Sequence, residues 1–410
     1  MRLIKGIFKQ YQGLPRSIYI IFLSRVINNI GTFVFPMLTL ILTQRIGITK
    51  DKAGLFITAV AFFSAPSILL GGVLVDKIGR KKVLVIFQGL GAIIFICCGF
   101  LKTSMLLAVV LMVAQLVSTI AMPATDSLLA DLTTPENRKE AFSLLYMGNN
   151  LGLAIGPILG GLLYNNHLKL LFIGDGITTL LSLLLVYFFV NETLHDIHSG
   201  AHKKLFNNEK IEKGTVFSVL LKRKTLFYFA LILFVYQFSY SQFNFALPLH
   251  LGDNFGTKGA KYFGLIAGLN ALVVITFTPL ISKLTKGVKP VVIISLGGVF
   301  YALAFGALGW INALPLFFVS IVVMTFGEIC ISINIGTYIA NHTPSSHRGR
   351  MNGVLPMIYG AGYALGPMTM GKYIASFGIN NSWRFIGVIM IIAASMMYLL
   401  YKFEYKKSKA

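Results

Sequence analysis

The chain has 410 residues, 56% of them hydrophobic and only 12% charged, with a mean hydropathy of +0.76. Soluble globular chains carry about a quarter of their residues as charges, so the main solvent of this one is lipid. A net charge of +22 would suggest nucleic acid in a soluble protein, but the Lys and Arg residues occupy short gaps between long uncharged runs, which is a topology signal, and no nucleic-acid partner is expected.

A helix needs about 20 apolar residues to cross the hydrocarbon core. Twelve such runs occur, near residues 17–43, 53–75, 83–101, 104–126, 138–164, 169–190, 225–250, 261–282, 290–310, 314–341, 349–373 and 384–402. The predicted fold is an all-α membrane protein with twelve transmembrane helices in two six-helix halves, 1–190 and 225–410, joined by a polar, basic linker at 191–224. With both termini cytoplasmic, 26 Lys and Arg fall in cytoplasmic segments and 9 in the opposite ones, the bias of the positive-inside rule. The first run is too long for a signal-peptide core and reads as an uncleaved anchor. Cys97, Cys98 and Cys330 lie in apolar runs without pairing or metal-ligand spacing.

In the first span, Arg25 precedes Asn28 and Asn29. Two readings stand side by side: pairing with an acid in a cavity, or reaching back to the headgroups. Between the second and third spans residues 71–82 read GGVLVDKIGRKK. Gly72 suits close helix packing and Gly79 a tight turn. This segment resembles the signature of the major facilitator superfamily, G-x-L-x-D-[RK]-x-G-[RK]-[RK], at Gly72, Leu74, Asp76, Lys77, Gly79, Arg80 and Lys81. The resemblance implies two halves that rock around a central cavity, with Asp76 in a latch on the cytoplasmic face. Lys81 and Lys82 read as topology. The matching turn of the second half, SKLTKGVKP at 282–290, holds no acid, so the latch is one-sided.

The fourth span, LMVAQLVSTIAMPATD at 111–126, lacks the mid-span Arg common in drug:proton antiporters of that superfamily; its polar groups are Gln115 and Asp126. Asp126, near Asp131, Glu140 and Arg138, reads as a solvated helix end or as part of a gating ion-pair cluster, and Arg138 is grouped with the conformational switch. The fifth span carries GLAIGPILGGLL at 152–163. With Gly148, its Gly152, Gly156 and Gly160 form a stripe on which another helix can lie and slide, and Pro157 favours a kink. Gly152, Gly156, Pro157, Gly160 and Gly161 resemble the antiporter signature of the superfamily, implying kinship with drug:proton antiporters. A shift of 210 places Ala130 on Ala340, Thr133 on Thr343, Arg138 on Arg348, Gly152 on Gly362 and Gly156-Pro157 on Gly366-Pro367, an internal repeat. Asp175, in the sixth span, is a secondary protonation candidate, with structural pairing as its other reading.

His195, His198 and His202 in the linker read as a solvated surface, with a weak metal site as the lesser reading. Glu328 lies mid-way along the tenth span in VVMTFGEICISIN, with no ionised residue within ten positions. A charge there costs on the order of 3 kcal/mol, so the carboxyl is expected to hold a proton or pair with a cation. That is the chemistry of a proton carrier that also recognises cationic cargo; the other reading is a neutral acid hydrogen-bonded to a neighbouring helix. Polar and aromatic groups supply a candidate cavity: Asn28, Tyr146, Asn149, Asn150, Tyr236, Gln237, Tyr240, Asn244, Asn270, Tyr359 and Tyr363.

The expected function is proton-coupled export of lipophilic, cationic compounds by a monomer in a bacterial inner membrane, with protons and a small molecule as partners and the proton gradient in place of a cofactor. The alternatives are a carrier of one metabolite, sugar or lipid on the same scaffold, and a membrane protein that transports nothing. No nucleophile, metal or phosphate-binding pattern suggests an enzyme.

Overall fold

The computed structural model describes residues 11–134, 137–194, 224–342 and 348–409, and all regular structure among them is helical. Pro135, Thr343, Pro344, His195, His198 and His202 lie outside the described residues, as do the side chains of Arg138, Ala340 and Arg348. Lipid offers backbone N–H and C=O groups no partner, so apolar runs of this length close their hydrogen bonds internally as helices.

The first span divides into α1 (Arg16–Ile30) and α2 (Val34–Leu40), followed by a π-helical turn at Ile41–Arg45. Pro36 sits in the first turn of α2, where its missing N–H costs nothing. Next come α3 (Lys50–Ile78), α4 (Arg80–Val83), a π-helical turn at Leu84–Gln88, and α5 (Gly89–Cys98). The fourth span comprises α6 (Met105–Ile120) and α7 (Met122–Asp131), interrupted ahead of Pro123. α8 (Arg138–Leu163) and α9 (Leu168–Phe189) follow, then α10 (Lys224–Tyr240), α11 (Ala246–Phe255), α12 (Gly259–Leu284), α13 (Pro290–Ala307), α14 (Leu314–His342), α15 (Arg348–Phe377) and α16 (Ile379–Lys409).

Ten helical stretches among the described residues are long and apolar enough to cross a bilayer, against the twelve expected. One of the ten, Lys224–Leu284, has 61 residues and contains α10 to α12, with Gly256 at φ +55° between α11 and α12. α15 is not among them, because its glycines, Pro356, Pro367 and basic start dilute its hydropathy.

The chain forms two compact units: Met1–Gly47, Ala59–Leu205 and Ala260–Ala271 make the first, and Ile48–Thr58, Phe206–Gly259 and Leu272–Ala410 the second. Each therefore takes one helix end from the other half of the sequence. The core of the first gathers Ile18, Leu128, Leu129, Leu145 and Val186. The core of the second includes Val274, Ile293, Ile329 and Cys330. Also in the second, Trp383 is fully buried, stacks on Phe305 and donates Nε1–H to His250 Nδ1 at 3.0 Å. Trp310 is exposed, with the Arg384 guanidinium 4.9 Å above its ring.

Candidate functional site

In the second unit α14 carries Glu328 half-buried, and the Tyr240 hydroxyl on α10 donates to its Oε1 at 2.8 Å. The Tyr240 ring stacks against Tyr301 on α13, with centroids 6.0 Å apart and planes 9° off parallel, and lies 6.4 Å from both Phe243 and Tyr363. Asn244 donates to the Tyr363 hydroxyl at 3.3 Å, and buried Tyr236 donates to the Ile294 carbonyl at 3.3 Å. Gly298 is what admits Tyr236: a methyl group there would lie 2.1 Å from the phenol oxygen. A carboxyl among ring faces can take up and release a proton, and such rings attract organic cations. Gln237 and Tyr359 are half-buried on α10 and α15 and make no side-chain hydrogen bond among the described residues.

The first unit holds a half-open cavity of about 350 Å³ with a mixed polar and apolar lining that includes Arg25, Asn28, Gln88, Gln115, Asp175 and Thr179. Asn28 donates to Thr179 Oγ1 and Asn29 to Asn149 Oδ1, both at 2.9 Å. Asp126 is exposed on α7, and its field reaches Arg25. Asp175 is buried, and its Oδ2 accepts from the backbone N–H of Phe33 and Val34 at 3.1 and 3.0 Å. It caps the orphan donors where the first span restarts as α2. Of the expected cavity residues on α8, Tyr146 is 54% exposed and Asn149 half-buried, and none of Tyr146, Asn149 and Asn150 is in this lining. Asn270 is half-buried on the 260–271 segment of this unit, also outside the lining.

At the turn after α3, Gly79 has φ +109°, a conformation open to glycine. A methyl group there would lie 2.4 Å from Glu192 Oε2. Glu192, beyond the end of α9, accepts from the N–H groups of Arg80 at 2.8 Å and Lys82 at 3.2 Å. Burial pushes its carboxyl up, but the N–H bonds from Lys82, Arg80, Leu194 and Lys81 outweigh that and hold it below the ordinary carboxylate range.

Arg80 Nε meets Asp131 Oδ2 at 2.9 Å, and the same oxygen accepts from Thr193 at 2.8 Å. Asp76, expected to work the latch, is 77% exposed and lies 3.6 Å from Arg80, one turn back; the better-shielded partner is Asp131. The close-packing glycine is likewise Gly71, where a methyl group would come within 2.1 Å of the Ile120 carbonyl oxygen. Gly72 faces open space. One residue of helix rotates a side chain by about 100°, which separates the two.

The glycine stripe of α8 lies on the first span. Methyl groups on Gly148, Gly152, Gly156 and Gly160 would meet Phe22, Asn29, Asn29 and Phe33 at 2.8, 2.3, 2.5 and 3.2 Å. A methyl group on Gly161 would lie 2.6 Å from the Ala260 carbonyl oxygen of the same unit, and one on Gly264 2.3 Å from the Pro157 carbonyl oxygen. The repeat does likewise: methyl groups on Gly362, Gly371 and Gly54 would run into the carbonyl oxygens of Phe234 on α10, Lys50 and Pro367, the last at 2.1 Å.

A sequence profile described as Major Facilitator Superfamily matches residues 21–314 and 229–410, nearly the whole chain. The chain belongs to this superfamily. It is thus a multi-pass secondary transporter of the membrane. A Na(+), Li(+), K(+)/H(+) antiporter of Planococcus maritimus is 21% identical over 399 residues, covering 92% of this chain and 93% of that protein. A class H tetracycline resistance protein of Pasteurella multocida is 28% identical over 229 residues, 55% of this chain and 56% of that one. Among solved structures, a POT family transporter in complex with a thioalcohol conjugated peptide aligns with TM-score 0.78 at 16% identity, over 96% of this chain and 99% of its own.

Sequence reasoning in this superfamily member missed Glu192, Tyr301, Gly54, Gly71 and Gly264, and set Asp131 beside Asp126, Glu140 and Arg138 rather than with Arg80. Gly54 and Gly264 were within reach, since the shift of 210 maps each onto the other and their partners Pro367 and Pro157 likewise. Tyr301 had no signal, because nothing in an apolar run tells which ring faces a neighbouring acid.

Proposed function

We propose that this transporter is a proton-coupled exporter of lipophilic, cationic compounds, of the drug:proton antiporter type, working as a monomer by alternating access. The observation that carries the reading is the Tyr240–Glu328 hydrogen bond inside a stack of aromatic rings. Protonated, Glu328 is neutral and its surroundings suit lipid-soluble molecules. Deprotonated, it attracts a cation to ring faces already in place. Cargo and proton thus compete for one group, which is the condition for exchange.

The proposal includes twelve spans, counting α10–α11 and α12 as two and adding α15. Both termini lie in the cytoplasm of a bacterial cell, as the distribution of Lys and Arg supports, and 1–190 and 225–410 act as six-helix halves joined by 191–224. The glycine stripes of α8 and α15 are the surfaces along which neighbouring helices slide, and Gly79, Arg80, Asp76 and Arg138 belong to the switch. The proton-antiporting relative and the tetracycline resistance relative support this choice over a carrier of a single metabolite, sugar or lipid.

The test is substrate-driven pH change in proteoliposomes, with a lipophilic dye cation and, separately, Na+ or K+ as cargo. Wild type moves protons against the dye, and Glu328→Gln binds the dye cation more weakly and moves no protons. Full proton coupling in Glu328→Gln would refute the assignment.

A further inference from the structure

The first unit holds an arrangement that export of simple cations does not use. Arg25 projects into the 350 Å³ cavity, yet among the described residues its guanidinium makes no hydrogen bond or ion pair. Gln88 and Gln115 line the same cavity, and their amides are likewise without hydrogen bonds among the described residues. Gln88 ends the π-helical turn Leu84–Gln88, a distortion frequently found at functional sites. The acid in the lining, Asp175, spends Oδ2 on the N–H groups of Phe33 and Val34, where the helix start offsets its charge. Asp126 is exposed and farther away than ion-pair distance. Behind Arg25 a second pocket of about 20 Å³, shared with Asn28 and Gln88, has room for one water.

A cation in a membrane interior without a fixed partner costs on the order of 3 kcal/mol, and a guanidinium fork fits a carboxylate with two parallel hydrogen bonds. The cavity volume lies at the low end of the range for ligand sites, about 300–1,000 Å³, enough for an aryl carboxylate and not for a large cargo.

We infer that Arg25, with Gln88 and Gln115, forms a subsite for the carboxylate of an aromatic, amphoteric substrate. The inference deepens the reading above by naming a second charge on the cargo, and rests on that reading only for the idea that such cargo is transported. Arg25 supplies the charge and the fork, and the two amides donate to the remaining oxygen lone pairs.

The experiment measures thermal stabilisation of the purified full chain in detergent by naphthoate, with the uncharged alcohol of the same ring as control. Naphthoate should raise the melting temperature of wild type and of Glu328→Gln, and the alcohol should not. Arg25→Gln should weaken the naphthoate response about tenfold or more, Arg25→Lys less, and Gln88→Ala and Gln115→Ala severalfold each with the charge still in place. A parallel pair, 4-(trimethylammonio)benzoate and its methyl ester, shares one small aromatic cation and differs in a free carboxylate; Arg25→Gln should weaken the acid and leave the ester unchanged. An undiminished naphthoate response in Arg25→Gln, equal loss of acid and ester, or an equal response to chloride alone would overturn the subsite and leave the Glu328 assignment standing. Full proton coupling in Glu328→Gln would do the reverse.

Discussion

The two units are built to one packing rule and furnished differently. Gly264 lies on the Pro157 carbonyl in the first, and Gly54 on the Pro367 carbonyl in the second. Gly161 meets Ala260, and Gly371 meets Lys50. Each residue of one set is 210 positions from its counterpart. The polar interiors do not repeat: one unit has an arginine beside two amides, the other a carboxyl held by a phenol. Backbone contacts through glycine constrain both copies alike, while a side chain facing a cavity is free to diverge with the cargo.

The largest expected effect separates the acids of the two units. Glu328→Gln should cut proton-coupled transport by about a hundredfold. Asp175→Asn keeps an acceptor for the α2 cap, so it should retain coupling and lose about 1 kcal/mol of stability; loss of coupling there would blur the division of labour. Next come the repeated junctions. Gly54→Ala and Gly264→Ala each force a methyl group into a carbonyl oxygen and should reduce transport by similar factors, about tenfold, at a packing cost of about 1–3 kcal/mol. Unequal effects would break the symmetry.

Gly71→Ala should behave like them, and Gly72→Ala should be silent in thermal stability and transport. Asp131→Asn leaves Arg80 without its shielded partner and should cost about 3 kcal/mol in thermal unfolding; Asp76→Asn, at an exposed pair, should cost under about 1 kcal/mol.

The smallest effect is acid sensitivity at the turn. Glu192 is held below the ordinary value of about 4.3. Its stabilisation is complete above that pH and is lost as pH falls through the lower folded value. Glu192→Gln should flatten the decline in melting temperature below about pH 4.

Helical class and most spans were legible because lipid imposes apolar runs of fixed length. Ten stretches among the described residues have the length and hydropathy of a span against twelve expected: the run near 349–373, expected as a span, forms α15, whose glycines and prolines lower its hydropathy. Glu328 was legible from isolation alone, and its partner Tyr240 was named among the cavity residues, but not their pairing. The turn was recognised from Gly79 and Arg80, whereas Asp131 and Glu192, 51 and 112 residues from Arg80, are joined to it by folding alone.

Both tryptophans of the chain, Trp310 and Trp383, belong to the second unit. Intrinsic indole emission is therefore a one-sided optical reporter. The buried Trp383 should emit blue-shifted light and the exposed Trp310 a longer-wavelength component, and neither belongs to the unit that holds the arginine cavity. A single indole introduced near Gln115 would give that silent region a colour of its own.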